Sequence, residues 1–259
     1  FRSIIFDDPK PRSMKKYLGP ILFLIFLIGC QTESKLTFEP TQLLGENCNS
    51  CPKIEINIPH ALDDSKVSEA INRALREEII SVLSFTEDET IDSANKAIKS
   101  FTDSYKELKT KFPDEVQWEA TINGEAIYED ENIITLMLNS YSFTGGAHGY
   151  ASTSYLNFDK KSGAELENWE LFDDLEGFAG YTETKFREQE NIPRGGNINA
   201  TGFMFEDDMF HLADNIGYTK DGLKLIYNQY EVASYADGPI ELILPYSEIN
   251  PYLKRKVKN

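Results

Sequence analysis

The chain has 259 residues, with 43 Asp and Glu against 26 Lys and Arg, and a net charge of −17 at pH 7. That balance excludes a nucleic-acid binder, because a phosphate backbone is held by a basic footprint, and it excludes adhesion to anionic lipid through charge alone. It suits a cationic partner, since summed charge steers association, or plain solubility.

Residues 1–13 precede Met14 and fit no targeting pattern, so they are read as a spurious extension. Met14-Lys15-Lys16, the apolar run 21–28 and then Gly29-Cys30 have the charged, apolar and small-residue order of a signal peptide over 14–29. The run is shorter than the ~20 residues that a bilayer-crossing helix needs. Leu27-Ile28-Gly29-Cys30 resembles the bacterial lipobox. That resemblance implies cleavage before Cys30 and an acylated thiol that replaces the lost helix as membrane anchor; the alternative is an ordinary secretory signal with a chance cysteine. Removing residues 1–29 leaves 21 basic and 41 acidic residues, a net charge of −20. The expected location is the bacterial cell envelope, outside the cytoplasm, with the leaflet left open.

Residues 30–49 are polar and mixed and read as a tether. Within them begins Cys48-Asn49-Ser50-Cys51, a C-x-x-C that outside the cytoplasm serves as a redox pair, half of a metal site or a local disulfide. No second C-x-x-C completes a zinc site, and a strand rather than a helix follows, which favours a Cys48–Cys51 disulfide over a redox pair. Ile54, Ile56 and Ile58 alternate with polar residues as in a strand. Asp63 or Asp64 is positioned to cap a helix whose apolar residues recur at three- and four-residue steps from Val67 to Val82. A second helix reads over 90–111, ended by Pro113.

Strands follow. Val116 to Ile122 alternates, Asn123-Gly124 suggests a tight turn or bulge, and 127–129 continues the pattern. Residues 133–143 form the longest strand candidate and 150–158 its returning partner. A helix reads over 175–190, then a glycine-rich connector over 191–202, then short elements at 210–216, 222–227 and 240–244, and a terminal helix from Tyr246 toward Leu253. Helices ahead of strands, without regular βα alternation, give an α+β class: an N-terminal strand and two helices, then a mainly antiparallel sheet with one or two further helices.

Between the two longest strands lies Gly145-Gly146-Ala147-His148-Gly149. As a general base or metal ligand His148 needs an orienting partner or further ligands, and the chain has three histidines in all with no paired motif. The structural alternative is a hairpin tip where glycines supply positive φ and the imidazole bonds backbone; between the two stands a ligand-facing rim. Tyr227, Tyr230 and Tyr235 cluster with Glu231 and Asp237. Such a set suits a saccharide or a cationic protein, because rings stack and carboxylates accept hydrogen bonds, and equally suits core tyrosines beside an Asp237-Gly238-Pro239 turn. The candidate rim is His148, Tyr150, Tyr230, Tyr235 and Asp237. Asp173-Asp174 and Glu206-Asp207-Asp208 do not fit a calcium loop and read as solvated or helix-capping charge. No phosphate loop, dinucleotide fingerprint or G-x-S-x-G occurs.

Residues 140–163, around the glycine–histidine loop, and residues 227–239 with the following 240–246 resemble the signature stretches of the RsiV/PdaC-type extracytoplasmic domain family, which includes many lipoproteins of unknown function. The resemblance covers about residues 50–253. It implies an α+β fold in two portions, here a PdaC-like 50–142 and an RsiV-like 143–254. The family includes a membrane anti-sigma factor whose outer domain binds lysozyme and a peptidoglycan deacetylase with a separate catalytic domain. This sequence departs from both, lacking the sigma-holding segment and the zinc-binding Asp/His/His set. The expectation is therefore a lipid-anchored, non-enzymatic binding module. Its partner is a lysozyme-like cationic protein or a peptidoglycan fragment, with no cofactor, metal or nucleic acid. The alternative is a cell-wall hydrolase or deacetylase using His148 and nearby carboxylates.

Overall fold

The computed structural model describes residues 35–84 and 91–258. The signal peptide and Cys30 lie outside the described residues. Residues 33–259 cluster as one compact unit. Its fold is α+β. Six strands form one sheet in sequence order: β1 (Phe38–Leu44), β2 (Lys53–Ala61), β3 (Glu119–Glu129), β4 (Ile133–Phe143), β5 (Tyr150–Asp159) and β6 (Glu165–Leu166). All neighbours are antiparallel except β2 and β3. That parallel pair is joined through α1 (Lys66–Leu83) and α2 (Ala94–Lys111), the kind of helical crossover that parallel strands require.

Both helices start on serine. Ser65 accepts from Ser68 N and Ser93 from Lys96 N, each satisfying an otherwise orphan donor. The cap is thus Ser65 rather than Asp63 or Asp64; Asp63 instead accepts from Thr37 N at 2.7 Å and holds the approach to β1. The apolar stripes of α1 and α2 meet Ile54, Ile56, Ala120, Ile122, Leu136, Leu138, Leu156 and Phe158 in the first core.

Two expectations are corrected here. The tether contains β1, for Leu36, Phe38 and Leu43 lean on the first core while Glu39 and Gln42 face solvent. Pro40 disguises it, because proline is tolerated only where a ladder donor is dispensable, as on this edge strand. Asn123-Gly124 makes no turn. Both residues pair inside β3, with Asn139 and Leu138, and the register shift falls at Ala126/Tyr128. A Cβ at Gly124 would stand 3.3 Å from Ile58 Cγ2 and Pro59 Cδ, so glycine there admits the end of β2.

The second core gathers α3 (Leu175–Gln189), a small antiparallel sheet and the C-terminal turns. The small sheet is β7 (Asn215–Tyr218), β8 (Leu223–Tyr227) and β9 (Ile240–Leu244). Residues 210–214, expected as part of an element, are loop whose Ala213 is buried. The terminal helix α4 is a single turn, Tyr246–Ile249; Asn250 still holds helical backbone, but Pro251 has no N–H with which to continue the ladder. The small sheet covers one end of the face of the large sheet opposite α1 and α2. There Asn157 Nδ2 donates to Ile216 O at 2.7 Å, and Gly217 is so close to the Tyr155 ring that a Cβ would stand 2.5 Å from it.

Candidate functional site

The loop 144–149 turns β4 into β5. Gly145 (φ +96°) and Gly146 (φ +89°) adopt left-handed backbone that side chains rarely take. Gly149 is needed for a different reason: the Tyr141 ring lies on it, and a Cβ would meet that ring at 2.5 Å. His148, exposed between them, is tied on three sides. Its Nδ1 bonds Gly149 O at 3.0 Å, its Nε2 bonds Tyr230 Oη at 3.2 Å, and its ring stacks on Tyr235 with centroids 3.7 Å apart and planes 19° apart. A carbonyl only accepts, so Nδ1 carries the proton; in the neutral imidazole Nε2 is then the acceptor and the Tyr230 hydroxyl the donor.

The tyrosines come from the segment between β8 and β9. Tyr230 is 54 % exposed yet holds φ at +70°. Such a conformation in a bulky residue costs of order 1–3 kcal/mol and persists where the surroundings impose it. Those surroundings are specific. Asn228 Nδ2 donates to Thr153 O at 3.0 Å and its Oδ1 accepts from Thr153 N at 2.9 Å, so one side chain completes the β5 edge where no strand pairs. Glu231 accepts from Asn228 N and Asp214 N at 2.7 and 2.8 Å. Burial pushes the Glu231 carboxyl above its usual range, partly opposed by those two N–H donors.

The structure thus brings exposed His148 and Tyr230 together with half-buried Tyr235 in one aromatic trio. Tyr150, also exposed, opens β5; partial burial and then the Glu231 charge raise its phenol. Asp237, though exposed, is engaged by its own turn instead. Its Oδ2 accepts from Ser234 N at 3.1 Å and from Ser234 Oγ at 2.6 Å, closing the turn 235–237. A cleft of about 450 Å³ lies beside that turn, lined by Glu190, Thr201, Gly202, Phe203, Ala233, Asp237 and Ile240; His148 is not among its walls. Tyr227 belongs to the second core, and its hydroxyl donates to His211 O at 2.7 Å. Asp174 caps α3 through Gly177 N. Cys48 and Cys51 are joined as a disulfide at the approach to β2, and Gln117 Nε2 donates to Cys51 O. Among the described residues no three His, Cys, Asp or Glu side chains could hold a metal, and no helix is long and apolar enough to cross a membrane.

Sequence reasoning missed Asn228, and it placed Glu231 in the tyrosine cluster without its positioning role. Nothing local marks Asn228 as a clasp, since it finds Thr153 75 residues away. Asp237 was legible in principle: Ser234 and Asp237 have the three-residue spacing of a capping box.

Comparison with known proteins places two family models on the chain. Residues 46–151 match the model described as deacetylase PdaC, and residues 165–247 match a protein of unknown function, DUF3298. A member of the DUF3298 family from Bacteroides fragilis NCTC 9343 is 18 % identical with a TM-score of 0.65, covering 86 % of this chain and 96 % of that one. A DUF3298 family protein from Pseudomonas aeruginosa PAO1 is 18 % identical with a TM-score of 0.60, covering 86 % and 97 %. At that identity the likeness shows the shared fold alone. No curated protein matches this chain.

Proposed function

We propose, of a chain that carries the PdaC and DUF3298 modules in tandem, that it is a non-enzymatic binding module of the bacterial envelope, anchored by lipid at Cys30. Its partner is a lysozyme-like cationic protein or a peptidoglycan fragment. The observation that carries this reading is the bonding of His148. Both nitrogens are engaged, by Gly149 O and Tyr230 Oη, and among the described residues no carboxylate is hydrogen-bonded to the ring. A general base needs an available nitrogen and an orienting group; a recognition surface needs ordered rings with polar tips, which the trio supplies. The strained backbone of Tyr230 supports the same reading, because such strain gathers at ligand clamps. The acidic surface supports a cationic protein as one of the two partners.

Calorimetric titration of the purified protein with lysozyme, and separately with soluble muropeptides, tests this. Binding of at least one partner is expected, falling about tenfold or more in Tyr230→Ala, as for a central aromatic anchor. Lysozyme binding should weaken as salt rises. Silence toward both partners at low salt, or wall-modifying activity that disappears in folded His148→Ala, overturns it.

A further inference from the structure

One face of the large sheet is only half covered. On the side away from α1 and α2, the half nearest β6 lies under the small sheet, while among the described residues the half nearest β1 is open. Strand pairing aligns five polar side chains across it in a single row: Gln42 pairs with Asn57, Asn57 with Asn123, Asn123 with Asn139, and Asn139 with Thr153. Each residue comes from a different strand, so the alignment is a property of register rather than of any local motif. At the strand spacing of a sheet, four gaps span about 19 Å.

The row is joined internally. Gln42 Nε2 donates to Asn57 Oδ1 at 3.0 Å, Asn57 Nδ2 to Asn123 Oδ1 at 3.1 Å, and Thr153 Oγ1 to Asn139 Oδ1 at 2.9 Å. These bonds fix the amide planes and leave the Nδ2 groups of Asn123 and Asn139 and the Oε1 of Gln42 without a hydrogen bond among the described residues. Gln42, Asn123 and Asn139 are all exposed. The result is a rigid strip of oriented amide donors and acceptors.

The strip runs into the aromatic trio. Its last member, Thr153, is the residue whose backbone Asn228 clasps, two positions before Tyr230. The neighbouring row on the same face brings in Tyr141, which pairs with Thr121 and Ala151 and lays its ring on Gly149, next to His148. An amide strip ending in exposed rings complements sugar: amides pair with hydroxyl and acetamido groups, while rings stack on the apolar faces of pyranoses. Glu55 and Glu125 flank the row on the same face, one residue pair to either side, and repel a polyanionic chain.

We propose that this open sheet face, from Gln42 to Thr153 and on to Tyr230 and Tyr235, is a binding surface for an uncharged oligosaccharide of N-acetylhexosamine, laid across the strands. The proposal rests on the binding-module reading and names the surface and the ligand class for it. A flat protein partner is the competing occupant; the row itself is polar, and its apolar neighbours Phe38, Pro40, Ile58 and Pro59 gather at the β1–β2 end rather than at the centre, where protein interfaces place their anchors.

The probe is tetra-N-acetylchitotetraose, titrated into the purified protein and followed by calorimetry and by NMR of the side-chain amides. Binding is expected, with perturbed amide signals of Asn123 and Asn139. Affinity should fall about tenfold in Asn123→Ala/Asn139→Ala, equivalent to about 1.4 kcal/mol, with the thermal midpoint close to that of the native chain. Glu69→Gln, on the exposed side of α1 behind the sheet, should bind the same sugar undiminished. The sugar failing to bind, or binding equally to the double variant, overturns the proposal. So does a double variant that instead loses lysozyme, which assigns the face to a cationic protein and leaves the binding-module reading standing. Failure of sugar, muropeptide and lysozyme together removes both.

Discussion

Tyr230 stands at φ +70°, where its own Cβ is a liability, and its ring nonetheless bonds His148 and lies 5.8 Å from Tyr235. The two contributions can be separated. Tyr230→Ala and Tyr230→Gly both remove the ring, but only glycine adopts this backbone without strain, so the glycine variant should be more stable than the alanine variant by about 1 kcal/mol. Urea midpoints of the two purified variants measure that difference; equal midpoints would show that the left-handed backbone is not strained. Both variants should lose partner binding alike, because the ring is what they share in losing. As residue types His148, Tyr230 and Tyr235 were visible in the sequence, where glycines and clustered rings mark them. That they come together was not, since 82 residues separate His148 from Tyr230. Asp237 shows the opposite failure, an acid that looks available in the sequence and is occupied by Ser234 in the fold.

At the scale of elements, the segment between β8 and β9 is docked on β5 by one side chain. Asn228 answers both the N–H and the C=O of Thr153. Replacing it with alanine leaves two backbone groups of Thr153 without protein partners, and the expected cost is about 2 kcal/mol. Hydrogen exchange should locate the effect: the Thr153 amide should lose protection in Asn228→Ala, whereas the paired amides of β4 keep theirs; unchanged protection at Thr153 would remove the clasp from the account. The strands on either side of the histidine loop were legible because both are long runs rich in aliphatic, β-branched and aromatic residues, and β4 runs over the expected 133–143. Both long helices were legible from their stripes. Edge strand β1 was not, because an edge needs few apolar residues and tolerates Pro40. The bulge at Ala126/Tyr128 was not, because Asn-Gly is a stronger local turn signal than any residue at the bulge itself. The amide row was invisible for a further reason: its members become neighbours only once five strands are in register.

At the scale of the molecule, the C-terminal segment is returned to the end of β5 by Arg255, whose Nε and Nη2 donate to Asp159 at 2.8 and 2.6 Å. Burial works against the Asp159 charge, but hydrogen bonds from Ser162 and Arg255 outweigh it and hold the carboxyl below its usual range. A depressed acid contributes stability that is complete above its unfolded pKa of ~3.9 and is lost as pH falls through the folded value. Arg255→Met should therefore cost about 2–4 kcal/mol near neutral pH, since it strands a half-buried carboxylate, and should flatten the further loss of stability below about pH 4. Denaturant midpoints at a series of pH values check both; a variant with unchanged acid sensitivity would detach Asp159 from Arg255. The same whole-molecule view gives the sheet's borders a meaning apart from ligand binding. Any open sheet ends in two rows of unpaired backbone groups, and a concentrated chain meets many copies of itself. Here β6 closes the β5 border at Asn157 and Phe158, Asn228 closes it at Thr153, and on the far border Glu39 and Pro40 interrupt β1. Charge and proline at an edge are the usual guards against strand addition by another copy. The side chain that seats the aromatic trio thus also occupies edge groups that another copy would need, and Asn228→Ala should aggregate more readily than the native chain.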